Sequence, residues 1–177
     1  AFSTWLALGL RAAQPELDKC FHTDWHEPDG VVTGEGSAFS TLRWAEPKQG
    51  YYKMGLFVMA LLAAYRVSGA TRYLDEAVSA YRLCTDRAAD LWSNTLSHKM
   101  CWAATHLHAT TGERGYVDDA CRYADHLVTL QQPDGGIHYP ELWDSYPTPA
   151  WENMPNFGCQ VALWVALTRD ALAACRG

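Results

Sequence analysis

Residues 54–65 read MGLFVMALLAAY, twelve in a row without a charge. A run of that length falls short of the about 18 apolar residues of a membrane span, so it predicts a helix buried on every side in a protein core. The next segment, 71–87, is of another kind. Arg72, Asp75, Glu76, Arg82, Asp86 and Arg87 are interleaved with Tyr73, Leu74, Val78, Tyr81 and Leu83, which predicts an amphipathic helix with one wet face. The alternation then recurs. Residues 98–111 (HKMCWAATHLHATT) carry one formal charge, Lys99, near the start, and 114–131 mix Asp118, Asp119, Arg122 and Asp125 with Val117, Tyr123 and Leu127. Residues 156–168 (NFGCQVALWVALT) again have no charge.

The alternation has a period. Residues 69–77 lie over 112–120 at an offset of 43, matching Gly69 with Gly112, Tyr73 with Tyr116, Asp75 with Asp118 and Ala77 with Ala120. Upstream, Ala60 falls on Ala103. A period of about 40 residues is that of a helical-hairpin repeat. Gly69 and Gly112 then mark the junctions between helices, where glycine tolerates the left-handed conformation. Fully buried helices alternating with amphipathic ones imply two concentric layers. The expected fold is all-α, an α/α toroid of inner and outer helices, in one domain spanning 1–177. A first outer helix is expected over 2–14, ending near Gln14-Pro15, and a small β-hairpin near residues 20–34 turning at Pro28-Asp29-Gly30.

The whole-chain composition narrows the function. Of the 177 residues 49% are hydrophobic and 19% charged, which argues against disorder and against a coiled coil. The net charge of −6 comes with no basic run, so nucleic acid is not an expected partner, and no apolar stretch predicts a membrane one. Six cysteines (20, 84, 101, 121, 159, 175) form no C-x-x-C pair and read as buried reduced thiols, and no signal segment is read at the start, so a cytoplasmic location is expected. Eight Trp and nine Tyr exceed what an ordinary core of this size needs and suit an aromatic-lined cavity.

Five motifs carry a resemblance: residues 46–55 (EPKQGYYKMG), 71–75 (TRYLD), 97–99 (SHK), 111–114 (TGER) and 130–136 (LQQPDGG). Together they resemble the α/α-toroid proteins related to terpenoid cyclases and the six-hairpin superfamily, in particular cyclase-like members of natural-product pathways. The resemblance covers most of residues 10–168 and implies a fold and a pocket. The chain departs from the family's catalytic patterns: it has no D-x-D-D acid motif and no D-D-x-x-D or N-S-E magnesium motif, and the prenyltransferase zinc set has no motif-level match. Neither protonation-initiated polyene cyclisation nor diphosphate ionisation is therefore expected, and no cofactor or metal is assigned.

In a toroid, residues at the starts of inner helices and in the loops of that rim line the cavity, where helix N-termini leave N–H groups unpaired. Tyr51, Tyr52, Trp102, His138, Trp151, Asn156 and Phe157 are the candidate substrate-binding residues; His98, Lys99, Glu152 and Asp24 are the candidate catalytic ones. His98-Lys99 either caps its helix in solvent or faces the cavity as an acid–base or anion contact. His22, Asp24 and His26 alternate on a strand, giving either a solvated hairpin face or a divalent-metal site. The loop 133–153, with His138, Tyr139, Glu141, Asp144, Tyr146 and Glu152, is either a cap or a source of acid–base groups. His106 lies one turn from Trp102, either between helices or toward the cavity.

The expected function is a biosynthetic enzyme that binds a largely apolar polyketide or terpenoid intermediate and promotes intramolecular cyclisation or isomerisation. An alternative is a carbohydrate-active hydrolase, lyase or epimerase pairing Asp24 or Glu35 with Glu152 or Asp144. A second is a non-enzymatic helical-repeat binding module. The expected partner is a small-molecule substrate. Six helices make half a closed six-hairpin ring, so a missing N-terminal half, a homodimer, or an open arc is expected, the absent initial Met favouring the first.

Overall fold

The computed structural model describes residues 16–23, 25–26, 30–31, 41–133 and 150–174, and over 25–26, 30–31, 150–157, 172 and 174 the backbone alone. Helices dominate the described residues: α1 (Tyr52–Ser68), α2 (Thr71–Arg87), α3 (His98–Thr111), α4 (Gly115–Leu130) and α5 (Ala150–Ala174). Four short strands precede them, β1 (Cys20–His22), β2 (Trp25–His26), β3 (Gly30–Val31) and β4 (Thr41–Arg43). The expected all-α class holds at this level. The helix expected over 2–14 lies outside the described residues, as do residues 134–149 of the long loop. The chain divides into two compact units, residues 1–91 and 92–177.

In the first unit, β2 pairs antiparallel with β3, Trp25 opposite Val31 and His26 opposite Gly30, so Gly30 of the expected turn is a strand residue, and residues 27–29 lie outside the described ones. β1 takes a partner the sequence does not announce, β4, with Phe21 opposite Leu42 and His22 opposite Thr41. Three residues, Thr-Leu-Arg, are too few for an alternation to stand out. Buried Phe21 stands 6.4 Å from the Trp44 ring and 5.8 Å from that of Phe57, so the ladder packs directly on α1. Trp44 is anchored through its indole N–H to the Leu17 carbonyl at 2.9 Å.

α1 and α2 form the first hairpin, and α3 and α4 the second. Gly69 (φ 67°) and Gly112 (φ 76°) end α1 and α3 in the left-handed conformation, each N–H donating to the carbonyl four residues back at 2.8 Å. That closing geometry is the physical content of the 43-residue repeat, and burial follows it. Met54, Gly55, Phe57, Val58, Ala60, Leu61 and Leu62 are buried in α1; moved by 43 positions they become Ser97, His98, Met100, Cys101, Ala103, Ala104 and Thr105, all buried. On the amphipathic helices, buried Ala77, Ala80 and Cys84 of α2 correspond to buried Ala120, Tyr123 and Leu127 of α4.

The second unit adds α5 against α3. At 25 residues α5 outruns the charge-free stretch 156–168. Near its start Pro155 removes one backbone hydrogen bond without ending the helix. Beyond Thr168 it continues through exposed Arg169 and Asp170, paired at 2.8 Å. Thr168 Oγ1 donates to the Trp164 carbonyl at 2.8 Å and stands 3.8 Å from Cys101 Sγ, which ties α5 to the buried side of α3.

The cysteines divide. Cys20, Cys84 and Cys101 are buried free thiols, as expected, whereas Cys121 and Cys159 are exposed free thiols, contrary to the expectation of burial. Both exposed positions lie on helices but away from the packed face. Burial alone raises the Cys84 thiol, and chiefly burial pushes Cys101 up to about 12, so neither is a nucleophile at neutral pH. No described helix is long and apolar enough to cross a membrane.

Candidate functional site

The repeat register isolates one stripe. On α1, Leu56, Met59 and Ala63 are the positions between the buried ones, and they stay exposed or half-buried, contrary to the burial on every side expected of residues 54–65. Their counterparts 43 residues on are Lys99, Trp102 and His106, all half-buried. Spaced three and four apart, they share one face of α3. The same structural position is thus aliphatic in the first hairpin and carries an ammonium, an indole and an imidazole in the second.

α5 completes the stripe with Trp164. Its ring centroid is 4.5 Å from that of Trp102, with the planes tilted by 56°. Trp102 also meets the His106 ring edge-on at 4.8 Å. Lys99 Nζ lies 5.5 Å from the Trp164 centroid, a cation over an aromatic face worth about 0.5–2 kcal/mol depending on desolvation. Burial lowers the Lys99 proton affinity below that of an ordinary lysine. Lys99 also occupies the first turn of a helix with no acidic residue there, where the helix dipole disfavours a cation. Helix stability alone therefore does not account for a lysine at this position.

Behind the stripe, His98 is 2% exposed, so the solvent-cap alternative does not describe it. Its Nδ1 lies 3.2 Å from the Thr95 carbonyl, which can only accept, so Nδ1 carries the proton. The same carbonyl accepts the buried Tyr123 hydroxyl at 2.8 Å. Asn94 shapes the turn before it by accepting the Leu96 N–H on its side chain at 2.8 Å. Burial pushes the imidazole down to about 4, with the Lys99 charge adding a smaller push the same way. His98 is accordingly neutral at physiological pH, equipped to orient or accept rather than to donate as an acid.

The first-unit candidates are placed differently. Tyr51 has no exposed surface; its hydroxyl donates to Asp90 Oδ1 at 2.9 Å, while the Lys48 N–H donates to Oδ2 at 2.7 Å. Burial and the Asp90 carboxylate raise the phenol well above its ordinary value. Tyr51 thus locks the turn into α1, in which Lys48 takes a φ of 62°, and offers no surface to a ligand in this conformation. Tyr52 and Lys53 are half-buried, and Lys53 Nζ donates to Thr23 Oγ1 at 3.1 Å. His22 is buried, with Nδ1 3.1 Å from Thr41 Oγ1 and Nε2 3.5 Å from Cys20 Sγ, so both ring nitrogens are engaged within the β1–β4 ladder and not on a solvated face. Burial lowers its pKa.

Asp24 and His138 lie outside the described residues; of His26, Trp151, Glu152, Asn156 and Phe157 only the backbone is described, in β2 for the first and α5 for the rest. Among the described residues no three His, Cys, Asp or Glu side chains converge as a metal site. Of the sequence candidates, Lys99 and Trp102 are brought together, with His106 beside them. Nothing in the sequence singles out Trp164, because a tryptophan inside an uncharged helix reads as core, and nothing marks Asp90, because its partners lie about forty residues away. Compared with known proteins, the chain matches no family model, no curated protein and no solved structure.

Proposed function

We propose that the chain is part of an α/α toroid of specialised metabolism that binds a largely apolar polyketide or terpenoid intermediate and promotes its intramolecular cyclisation or isomerisation. The hairpin repeat, with its all-round apolar and amphipathic helices, supports the architecture. The carrying observation for function is the Lys99–Trp164–Trp102–His106 stripe, half-buried on a face that the equivalent hairpin leaves aliphatic. Two indoles provide an apolar wall on which a flexible chain is held folded, and proximity of its reacting ends supplies much of the rate. Lys99, with its lowered proton affinity, stabilises or protonates an oxygen that gains charge, and His106 is the nearby proton acceptor. Neutral His98 holds the first turn of α3 in place beneath them. The carboxylates of the carbohydrate alternative (Asp24, Glu35, Glu152 and Asp144) have side chains outside the described residues, so no specific observation favours that chemistry.

The test is incubation of the purified protein with an acyclic polyketone thioester and, separately, with an isoprenoid polyene, followed by mass analysis and chromatography. A ring product of unchanged mass, or of mass lowered by water, is expected from at least one substrate, and Lys99→Met and Trp102→Phe are expected to slow its formation. Products identical to those without enzyme from both substrates would overturn the proposal.

A further inference from the structure

The stripe also restricts what kind of apolar molecule it accepts, an inference that rests on its being the binding site proposed above. Along α3, Lys99 and His106 are seven residues apart, which is about 10 Å at the rise of an α-helix. Between them lie Trp102 and, across from it on α5, Trp164. The order is therefore ammonium, indole pair, imidazole. A reaction through a carbocation is poorly served by a fixed ammonium 5.5 Å from the centre of the nearer indole, since like charges in a partly buried site repel. A negative or electron-rich oxygen is well served: it pairs with Lys99, and its attached π-system lies on the indoles.

We infer that the Lys99–Trp164–Trp102–His106 stripe recognises a flat, conjugated anion, a ring or polyene carrying a carboxylate, phenolate or enolate oxygen at one end, placed at Lys99, rather than an uncharged hydrocarbon. Carbonyl-rich chains that form enolates belong to this class; unfunctionalised isoprenoid hydrocarbons do not.

Two probes of equal shape separate charge from shape: 2-naphthoate and its neutral amide, 2-naphthamide, each titrated calorimetrically into the protein. Naphthoate is expected to bind at least about tenfold more tightly than the amide, the worth of one charge-assisted contact. Lys99→Met should remove that advantage and leave amide binding unchanged. Trp164→Phe, chosen to preserve packing, should weaken both probes, while Arg122→Met, an exposed cation on α4, should weaken neither. Equal binding of both probes, or an equal effect of Arg122→Met, overturns anion recognition and leaves the site reading standing. Binding of neither probe, or binding of both unaltered by Trp164→Phe, overturns the site itself.

Discussion

His98 gives the protein's stability a pH dependence that can be isolated with one substitution. In the folded chain its pKa is pushed from the ordinary 6.5 to about 4 by burial, while in the unfolded chain it returns to the ordinary value. Between those two values the unfolded state binds more protons. The contribution to stability is therefore complete above pH 6.5 and is lost as pH falls toward 4. A displacement of that size corresponds to about 3 kcal/mol over the whole range, most of it lost by pH 4.5. His98→Asn places an amide nitrogen near the position of Nδ1, keeps a donor for the Thr95 carbonyl, and removes the titration. Urea unfolding at several pH values between 7 and 4.5 should show wild type losing about 2–3 kcal/mol more than the variant. His22, also lowered by burial, contributes in the same direction to both proteins and cancels in the comparison. Parallel pH profiles would refute the burial of a neutral His98.

Other consequences are local. Tyr51→Phe removes a hydrogen bond to the Asp90 carboxylate and should destabilise the protein by about 2 kcal/mol in chemical denaturation, with the helix content of the folded state unchanged. Gly112→Ala meets no neighbour within 4 Å but must adopt a φ of 76°, so a loss of about 1–2 kcal/mol in the same assay is expected from backbone strain alone. Maleimide labelling of the native protein, mapped by peptide mass, should modify Cys121 and Cys159 rapidly and spare Cys20, Cys84 and Cys101 until urea unfolds the chain.

The helices were legible because two signals agreed. Charge-free and amphipathic stretches alternated, and glycine punctuated them at a fixed spacing; in the structure Gly69 and Gly112 take the left-handed conformation that this spacing implied. The short strands were less legible: the β2–β3 pair falls within the stretch expected to form a hairpin, but β4 pairs with β1 across nineteen to twenty-three positions, and nothing in Thr-Leu-Arg marks it. The candidate site was half legible. Lys99 stood out as the charge in an apolar helix, yet its sequence neighbour His98 shares none of its exposure, because adjacent helical residues point about 100° apart. The place of Tyr51 at a helix start suggests cavity lining, whereas the carboxylate that claims its hydroxyl, Asp90, comes from the far end of the hairpin. The Lys99–Trp102–His106 stripe becomes visible only when the buried positions of α1 are laid over those of α3, which requires knowing burial residue by residue.

In the proposed function Trp102 and Trp164 form a ligand surface and not merely core packing. Nitrogen-15 labelling of the tryptophan indoles, with each signal assigned by a Trp→Phe variant, reports on this directly during titration with 2-naphthoate. Trp44, whose indole N–H is held by the Leu17 carbonyl in the first unit, serves as the internal reference. The Trp102 and Trp164 signals are expected to move together and saturate while that of Trp44 stays in place. Unmoved Trp102 and Trp164 signals at saturating probe would contradict that role.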